Sequence, residues 1–344
     1  MRTFLWLLMF AATACRQTIP DVLTRLQGST MGTYYQITLF GPTPDSVLIR
    51  GFDSVLYDVN YSMSTYMDES IISRFNRADS LFLLPADSID LPAYRHFLVN
   101  LEAATQVTAA SGGYFDPSAM PIIRYWGFGG GRKHPSEVDT AVIHRLLKLK
   151  GIDRVLRVER NGKTYLNKPP GLELDFNALA KGYGVDVVHD FLNKSGYPNH
   201  LVDIGGEARA SGTKAGHAPW VLGINVPDDK AGLEETVVQF VLQDRSVATS
   251  GNYRNFYELD GQRIVHTTNP LTGMNFPSDL LSATVVMDDC MHADAWATAF
   301  MSMGREKALQ ILEQHPDWPV SLIFSDENGM MQLFHTEPFK AMIQ

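Results

Sequence analysis

The chain has 344 residues, of which 45% are apolar and 19% are charged, so it can bury the core of one large domain or of two small ones. This composition excludes an intrinsically disordered protein, because such chains are poor in apolar residues. The formal net charge of -9 is spread over the whole sequence and argues against attraction to nucleic acid or to an anionic membrane surface.

The first residues are typical of an export signal. Arg2 precedes an apolar run at residues 4–12. This run is too short to span a bilayer, which takes a helix of about 20 residues, but it suits the apolar segment of a signal peptide. We therefore expect residues 1–14 to be a signal peptide and the protein to be exported.

Small residues lead directly into Cys15, and this arrangement resembles the lipobox of bacterial lipoproteins, in which the cysteine is acylated. Residues 15–25 would then be a lipidated N-terminus and tether, and the functional domain would cover residues 26–344. Several acyl chains would anchor the protein to a bacterial membrane, facing the periplasm, since each buried methylene contributes about 0.8 kcal/mol. Ordinary cleavage after Ala14 is the alternative.

The only other cysteine is Cys290, so a lipidated Cys15 leaves the chain without an intramolecular disulfide. We expect Cys290 to be a buried structural thiol. A nucleophilic role would need a base and positive surroundings, and the nearby His292 keeps that second interpretation open.

The first part of the domain predicts a strand followed by two helices. Residues 34–40 alternate in the manner of a half-buried strand. A helix is predicted from about Asp45, with Asp45 or the serine after it as the N-cap. A second helix is predicted at residues 93–111, where the paired Gly112 and Gly113 suit a left-handed helix end and a tight turn.

The middle of the chain adds an antiparallel element. Residues 155–166 predict a hairpin, because Asn161 and Gly162 lie between two alternating runs and readily take positive φ. The other predicted helices are residues 177–193, 292–303 and 307–314, and the other predicted strands are residues 200–204, 220–225, 236–242, 264–267, 283–287, 320–324 and 330–334. Hairpins and helices without regular βαβ alternation predict an α+β fold with mixed or antiparallel sheets. We expect one continuous domain, which could consist of two intertwined lobes.

A candidate metal site opens the helix predicted at residues 292–303. Asp294 and Thr298 are four residues apart, so a carboxylate and a hydroxyl lie on one helix face and can meet the same hard cation. Mg²⁺ is the natural occupant, and a helix N-terminus also favours phosphate, so the segment suits a metal and diphosphate site. The alternative makes Asp294 a partner of the helix dipole and Thr298 a core residue.

Asp175 and Lys181 flank the start of the helix predicted at residues 177–193. Asp175 can cap this helix or accept hydrogen bonds from a ligand ring, and capping is the plainer interpretation. Lys181 could reach a phosphate or a purine. Gly182 costs about 1 kcal/mol relative to alanine inside a helix, which indicates close approach by a ligand or by another backbone.

A polar segment at residues 246–255 precedes His266, which lies at a predicted strand end beside a polar loop. Small hydroxyl residues near Gly251 and Arg254 are suited to an anion-binding turn, although such turns are common. Histidines titrate near neutral pH, so His266 is a candidate general base that would remove a proton from an incoming hydroxyl. A lone histidine is more often structural.

Aromatic residues in the N-terminal part form a further group. Tyr66, Tyr114 and Phe115 could stack on a flat heterocycle such as a flavin or an adenine. Ordinary aromatic packing is the alternative.

Taken in order, these segments and several others resemble the ApbE family, the bacterial FAD:protein FMN transferases. The resemblance runs from about residue 28 to the C-terminus, and although each match is short, chance agreement of so many ordered segments is very improbable. The matching segments are Met31-Gly32-Thr33, Met63-Ser64-Thr65-Tyr66, Ser73-Arg74-Phe75-Asn76, Gly113-Tyr114-Phe115-Asp116-Pro117, Tyr125-Trp126-Gly127-Phe128-Gly129, Ala180-Lys181-Gly182-Tyr183, Val202-Asp203-Ile204-Gly205-Gly206-Glu207, Thr249-Ser250-Gly251-Asn252-Tyr253-Arg254-Asn255, His266 with Pro270 and Thr272-Gly273, and Ala293-Asp294-Ala295 with Thr298.

The resemblance implies an ApbE-like fold and a Mg²⁺-dependent transferase that moves FMN from FAD onto a threonine or serine hydroxyl of another protein and releases AMP. His266 would be the base that activates this hydroxyl, and FAD would be a substrate. The acceptor would be a membrane redox subunit. The implied FAD site is Met31, Tyr66, Tyr114, Phe115, Asp116, Asp175, Lys181 and Thr268, and the implied Mg²⁺ ligands are Asp294, Thr298 and the backbone carbonyl of Ala178.

Two other functions stay open at this point. One is an FAD pyrophosphatase, in which water attacks and free FMN and AMP are released. The other is a lipoprotein that binds FAD without chemistry. The chain also departs from the family, which commonly has His-x-Ile-Asp-Pro where this sequence has Thr268-Asn269-Pro270, so the carboxylate of that aspartate is missing.

Overall fold

The computed structural model describes residues 22–129, 133–228, 232, 235–253, 256–275 and 277–344. The predicted signal peptide and the predicted lipid attachment at Cys15 lie outside the described residues, as does Arg254 of the predicted anion-binding turn. In the described part of the chain, no helix has the length and apolar character needed to cross a membrane.

The described residues form strands and helices in mixed order. The strands are β1 (Val22–Thr30), β2 (Thr33–Gly41), β3 (Leu81–Leu83), β4 (Leu156–Arg160), β5 (Lys163–Asn167), β6 (Asn199–Ile204), β7 (Glu207–Ser211), β8 (Trp220–Asn225), β9 (Thr236–Leu242), β10 (Ser246–Gly251), β11 (Phe256–Leu259), β12 (Gln262–Val265), β13 (Leu280–Met287), β14 (Val320–Ser325) and β15 (Met331–His335). The helices are α1 (Ser46–Met63), α2 (Ile71–Arg77), α3 (Pro92–Ala110), α4 (Met120–Tyr125), α5 (Thr140–Leu147), α6 (Asn177–Lys194), α7 (Cys290–Met303), α8 (Arg305–Gln314) and α9 (Glu337–Lys340).

One eight-stranded sheet organises the molecule, with strand order β1-β2-β6-β7-β10-β13-β14-β15 and antiparallel pairing throughout. Its two edges come from the two ends of the described chain, so the chain cannot be divided into separate N- and C-terminal units. The smaller sheets are β3-β5-β4, β8-β9 and β11-β12. The predicted α+β class, antiparallel sheets and single continuous domain are confirmed.

Apolar side chains cover both faces of the large sheet. In β2, Leu39 packs with apolar residues of α1 and α6, whereas the next residue, Phe40, packs on Trp220 of β8 with ring centroids 5.9 Å apart. This alternation follows from the two-residue period of a strand, which directs successive side chains to opposite faces. Helices α1 and α6 therefore lie on one face of the sheet, and the β8-β9 hairpin lies on the other together with Phe339 of α9.

The helices α6 and α7 pack closely at Gly182. A Cβ atom at this position would overlap the backbone carbonyl of Cys290, so only glycine allows the contact. The close approach that the sequence predicts at Gly182 is confirmed, and the neighbour is the backbone of α7.

Cys290 is fully buried, and burial raises the pKa of its thiol. It is therefore the structural thiol that we expected, and the nucleophilic alternative is wrong.

Several local signals are confirmed. Asp45 caps α1 by accepting hydrogen bonds from the amides of Val47 and Leu48, at 3.0 and 2.8 Å. In the β4-β5 hairpin, Asn161 and Gly162 have φ values of 52° and 69°. The left-handed end of α3 is also present, at Gly112 and Gly113.

Other predictions need correction. The tether predicted to run through residue 25 is too long, because β1 begins at Val22 and pairs with β2. This edge strand is largely exposed and shows no apolar face in sequence. Residues 246–251 are the strand β10 rather than a turn, since Ser246 and its successors pair with β13. The short helices α2, α4 and α5 were not predicted at all.

Candidate functional site

A cavity of about 490 Å³ lies where α6 and α7 meet the loops around β7, β10 and β12. Chain segments that are far apart in sequence line it, and it brings together every predicted site residue except one. The predicted residues in its wall are Tyr66, Tyr114, Phe115, Asp116, Asp175, Ala178, Lys181, His266, Thr268, Asp294 and Thr298.

Met31 is the exception, because it lines an adjoining cavity of about 550 Å³. Tyr66, Asn177 and Lys181 belong to the walls of both cavities, which therefore lie side by side. Met31 occupies the tight turn between β1 and β2 with φ of 50°, a left-handed conformation that is uncommon outside glycine. Strained positions of this kind often occur at functional sites. A Cβ at Gly184 of α6 would overlap the Met31 side chain, so the two lie in direct contact.

A buried charge cluster forms one end of the first cavity. Lys181 Nζ lies 2.9 Å from Glu207 Oε1 and 3.8 Å from Asp294 Oδ1. Both carboxylate side chains are almost fully buried, with 4% and 3% exposure, and Glu207 Oε2 has no hydrogen-bond partner in the described residues. One lysine therefore faces two carboxylates, and the cluster lacks one positive charge.

The pKa values of the cluster reflect this imbalance. Burial raises the pKa of Glu207, the Lys181 charge opposes this shift and the Asp294 charge adds to it, with a net rise. Burial also raises the pKa of Asp294 above its ordinary value, against the opposing charge of Lys181. Burial by itself would lower the pKa of Lys181, but Asp294 and Glu207 together raise it, so the lysine stays charged. A bound cation would offset the surplus negative charge of Glu207 and Asp294.

Asp294 is held by α6 as well as by its own helix. The Gly182 amide, which in a regular helix would donate only to the Ala178 carbonyl, donates to Asp294 Oδ2 at 3.1 Å. Helix α7 begins at Cys290 rather than at His292, so Asp294 lies in its second turn. The alternative of a first-turn partner of the helix dipole is therefore wrong.

The N-terminus of α7 is closed to a phosphate. Asp186 of α6 accepts the amides of Cys290 and Met291, each at 2.9 Å, and Asp289 accepts the His292 amide at 2.9 Å. The first amides of the helix are thus already paired with carboxylates. The predicted role of this helix N-terminus in binding phosphate is wrong for that reason.

The predicted metal ligands lie together in the cavity wall. Thr298 Oγ1 is 3.2 Å from Ser250 Oγ, one helical turn beyond Asp294, and Ala178 lies on the facing helix. The described residues contain no group of three or more His, Cys, Asp or Glu side chains that could hold a metal ion. One carboxylate with neutral oxygens suits Mg²⁺, which usually keeps several waters and takes further oxygens from substrate phosphates. The surplus negative charge and the unpaired Glu207 oxygen also fit a cation.

Asp175 lies just before α6, on another wall of the cavity. Its two oxygens accept hydrogen bonds from the backbone and side-chain amides of Asn177, at 2.9 and 3.2 Å, although the N-cap position itself is Phe176. Burial raises the pKa of Asp175, and the hydrogen bonds from Asn177 lower it in part. Thr268 Oγ1 is buried without a hydrogen-bond partner in the described residues, and it too lies in the wall.

His266 directly follows β12 and is half-buried in the cavity wall. Its ring lies edge-on to Phe128, with centroids 6.4 Å apart and an interplanar angle of 71°. The end of β10 supplies the hydroxyl side chains of Thr249 and Ser250 to the same wall. The strand end that the sequence predicts at His266 therefore lies in the cavity wall, beside the hydroxyl side chains of β10.

Asn269 has a defined structural task. Its Oδ1 accepts the amides of Leu271 and Thr272, at 2.9 and 3.2 Å, and its Nδ2 donates to the Ser302 carbonyl at 3.2 Å. An aspartate could form the first two bonds but not the third, because a carboxylate has no hydrogen to donate. The amide therefore ties the loop after His266 to the end of α7.

Sequence reasoning did not assign a role to Glu207 or Asn177, both of which line the cavity. A signal for Glu207 was available, since it directly follows Gly205-Gly206 in one of the segments that resemble the ApbE family. Its burial against Lys181 joins residues 26 positions apart and could not be read from the sequence alone.

Comparison with known proteins gives consistent results. The model of the ApbE family matches residues 31–322. The FAD:protein FMN transferase of Vibrio cholerae serotype O1 is 32% identical over 94% of this chain and 94% of that protein, and that of Escherichia coli strain K12 is 29% identical over 85% and 82%. The solved flavin transferase ApbE from Vibrio cholerae has a TM-score of 0.79 at 32% identity and covers 94% of this chain and 100% of its own. The apo flavinyl transferase ApbE of Pseudomonas stutzeri has a TM-score of 0.79 at 30% identity, with coverage of 94% and 98%.

Proposed function

This chain belongs to the ApbE family and is an FAD:protein FMN transferase, and on that premise we propose that FMN leaves FAD in the cavity between α6 and α7. The product would be an acceptor protein with FMN attached to a threonine or serine, together with AMP. The observation that carries this proposal is that one cavity gathers a candidate base, His266, with Lys181, Asp294 and Thr298.

The wall supplies contacts for both parts of the dinucleotide. Tyr66, Tyr114 and Phe115 offer aromatic faces and edges to its flat rings. Lys181 stays charged between its two carboxylates and can donate a hydrogen bond to a phosphate oxygen of FAD. Because Met31 lies in the adjoining cavity, a long ligand could extend past Tyr66 and Lys181 into that space.

Asp294, Thr298 and the Ala178 carbonyl would hold Mg²⁺. When bound, this ion supplies positive charge that stabilises developing negative charge on phosphate oxygens. The same charge would relieve the surplus negative charge of Glu207 and Asp294. The protein's own contribution is to keep a charged carboxylate and neutral oxygens in place within a largely buried site.

His266 would act as the base. The acceptor hydroxyl gives its proton to the imidazole while its oxygen forms a bond with the phosphorus on the FMN side. The bond between that phosphorus and the bridging oxygen breaks, and AMP leaves with the electron pair. A base that removes the proton in the transition state contributes about 10²–10⁴-fold to the rate.

The setting of the reaction is also part of the proposal. The export signal and Cys15 support a lipid-anchored enzyme that faces the periplasm of a bacterium. A membrane redox subunit is then the fitting acceptor, since it would lie in the same compartment and at the same surface.

Intact-mass measurement of an exported redox subunit incubated with this protein, FAD and Mg²⁺ tests the proposal. We expect the acceptor to gain the mass of one FMN less one water, AMP to appear in equal amount, and chelation of the metal to stop both. His266→Ala should lose the mass gain, and His144→Ala, at an exposed position on α5, should keep it. AMP without covalent flavin would indicate FAD pyrophosphatase activity, and FAD binding without AMP would indicate a binding protein.

A further inference from the structure

Asp186 lies on α6, one turn beyond Gly182, and its carboxylate contacts two other elements, α7 and β7. It accepts the amides of Cys290 and Met291 at the start of α7, each at 2.9 Å. It also forms an ion pair with Arg209 of β7, whose Nη1 lies 2.6 Å from Oδ1. A carboxylate with a charged partner and several amide donors is strongly fixed in position.

The contact between α6 and α7 is reciprocal. The α6 carboxylate of Asp186 accepts amides from α7, and the α7 carboxylate of Asp294 accepts the Gly182 amide from α6, at 3.1 Å. Between these two points the helices touch through Gly182 and the Cys290 carbonyl. Sliding α7 along α6 would therefore break both carboxylate contacts at once.

The three elements that meet at Asp186, namely α6, α7 and β7, carry the buried charge cluster of the cavity and the proposed metal ligands. Lys181 and Ala178 lie on α6, Asp294 and Thr298 on α7, and Glu207 opens β7 two residues before Arg209. Asp186 itself is absent from the cavity wall, so it contacts neither substrate nor the proposed cation directly.

We infer that Asp186 is a positioning residue that sets the spacing between the Ala178 carbonyl and the Asp294 carboxylate, and so determines how tightly the site binds a divalent cation. This inference rests on the proposed cation site. Supporting groups behind metal ligands commonly change metal affinity by about 10- to 100-fold when they are replaced. Asp186→Asn keeps the size of the side chain but places an NH₂ group against an amide donor.

The test measures Mn²⁺ binding by electron paramagnetic resonance, with Mn²⁺ as the probe and FAD present. For Asp186→Asn we expect affinity weaker by about 10- to 100-fold than in the unaltered protein. Asp289→Asn is the matched control, because Asp289 is the N-cap residue directly before α7 and does not join this helix to α6. The Mn²⁺ affinity of this variant should stay within about twofold of that of the unaltered protein, since asparagine is also a good N-cap.

A kinetic measurement separates positioning from simple loss of folded protein. Positioning predicts that Asp186→Asn needs more Mg²⁺ for half-maximal flavin transfer and recovers most of kcat at saturating Mg²⁺. A purely structural role predicts a lower kcat at an unchanged Mg²⁺ requirement, and that result would overturn the inference. Should Asp186→Asn not fold, Arg209→Gln, which frees Asp186 from its β7 partner, should weaken Mn²⁺ binding in the same direction.

The outcomes distinguish this inference from the proposed function. Equal Mn²⁺ affinity in Asp186→Asn and the unaltered protein, with loss of binding in Asp294→Asn, would contradict the role of Asp186 alone. Unchanged Mn²⁺ binding in Asp294→Asn would contradict the cation site itself, and with it both proposals.

Discussion

Helix α6 carries one buried polar cluster near each end, and the two differ in how their hydrogen bonds and charges are balanced. Near its C-terminal end, His189 Nδ1 lies 2.9 Å from His200 Nε2, and His200 Nδ1 lies 2.7 Å from the Tyr197 carbonyl. The other ring nitrogen of His189 lies 3.0 Å from Asn193 Nδ2. Each of the four ring nitrogens therefore has one partner.

This arrangement fixes the protonation of both histidines. A carbonyl only accepts, so His200 donates from Nδ1 and accepts at Nε2, and His189 then donates from Nδ1 and accepts from Asn193 at Nε2. Burial lowers the pKa of His200, and burial with the nearby Arg209 charge lowers that of His189 to about 3. The cluster is neutral and complete.

The cluster at the other end of α6, formed by Lys181, Glu207 and Asp294, carries a formal charge and is not fully paired. Lys181 balances one of two buried carboxylates, and Glu207 keeps an oxygen without a partner in the described residues. A buried carboxylate oxygen without a partner costs free energy in the absence of ligand. We infer that the closed neutral network stabilises the fold, and we propose that the open charged one is where a cation and an anionic substrate bind.

The largest effect is expected when the open cluster loses Asp294, its proposed metal ligand. For Asp294→Asn we expect FMN transfer to fall by more than about 100-fold, because a bound metal contributes several kcal/mol to transition-state stabilisation. The thermal unfolding temperature without ligand should stay the same or rise, since one surplus charge is removed. Transfer assayed by acceptor mass, together with calorimetry, checks both parts. A large drop in stability would mean that this cluster is structural.

Lys181→Met leaves Glu207 and Asp294 facing each other without a positive partner. We expect destabilisation of about 3 kcal/mol, at the lower end for breaking a buried ion pair, because the lysine side chain is 29% exposed. The double variant Lys181→Met with Glu207→Gln should recover much of this stability but no FAD affinity. Denaturant unfolding and FAD titration measure the two properties, and joint recovery of both would contradict the assignment.

The closed cluster should respond to pH instead. Since the folded-state pKa of His189 and His200 is lowered, the unfolded chain takes up protons first as pH falls below about 6.5. Stability should be complete above that pH and decline toward pH 3, by up to about 1.4 kcal/mol per pH unit for each histidine. Unfolding free energies between pH 7 and pH 5 measure the slope.

The double variant His189→Leu with His200→Leu is the control for that slope. It should reduce the pH dependence and leave transfer at pH 7 within about twofold, because replacing both partners of a hydrogen bond by apolar groups can be nearly neutral. Part of the slope should remain, since burial and the charge of Arg95 also lower the pKa of His96, to about 4. A loss of transfer in this variant would remove the distinction between the two clusters.

The smallest effect is expected at Asn269, a fully paired polar residue outside both clusters. Asn269→Asp replaces the hydrogen bond to the Ser302 carbonyl by a contact between two oxygen atoms, so we expect destabilisation of at least about 1 kcal/mol. Transfer should change by less than about fivefold, a shift worth no more than about 1 kcal/mol. A chemical denaturation curve and a steady-state assay are sufficient. A large gain in transfer would show that the missing carboxylate matters for the chemistry.

Turns and helix starts were predictable from the sequence where they depend on one or two residues. Asn161-Gly162 fixes a hairpin and Asp45 fixes a helix start, because each depends on its own neighbours. The edge strand β1 was missed because its pairing with β2, rather than its own pattern, makes it a strand. The phosphate role of the α7 N-terminus failed because Asp186, more than 100 positions away, already occupies its amides.

The candidate site divides in the same way. The i, i+4 pair of Asp294 and Thr298 could be read from helical spacing, and the resemblance to the ApbE family supplied the FAD residues. The charge imbalance around Lys181 and Glu207 could not be predicted from the sequence, since it depends on burial and on distances across three elements. Met31 lines the adjoining cavity because a tight turn, whose conformation the sequence did not predict, directs it there.

The proposed cation site can be tested with a crystal of the protein that contains FAD and Mn²⁺, with diffraction measured at the manganese absorption edge. We expect one anomalous peak at metal-ligand distance from an Asp294 carboxylate oxygen, Thr298 Oγ1 and the Ala178 carbonyl, about 2.0–2.2 Å for a hard divalent cation of this size. FAD phosphate oxygens should complete its coordination. A diphosphate bound elsewhere, with Asp294 still paired only to Lys181 and Gly182, would contradict the proposed site.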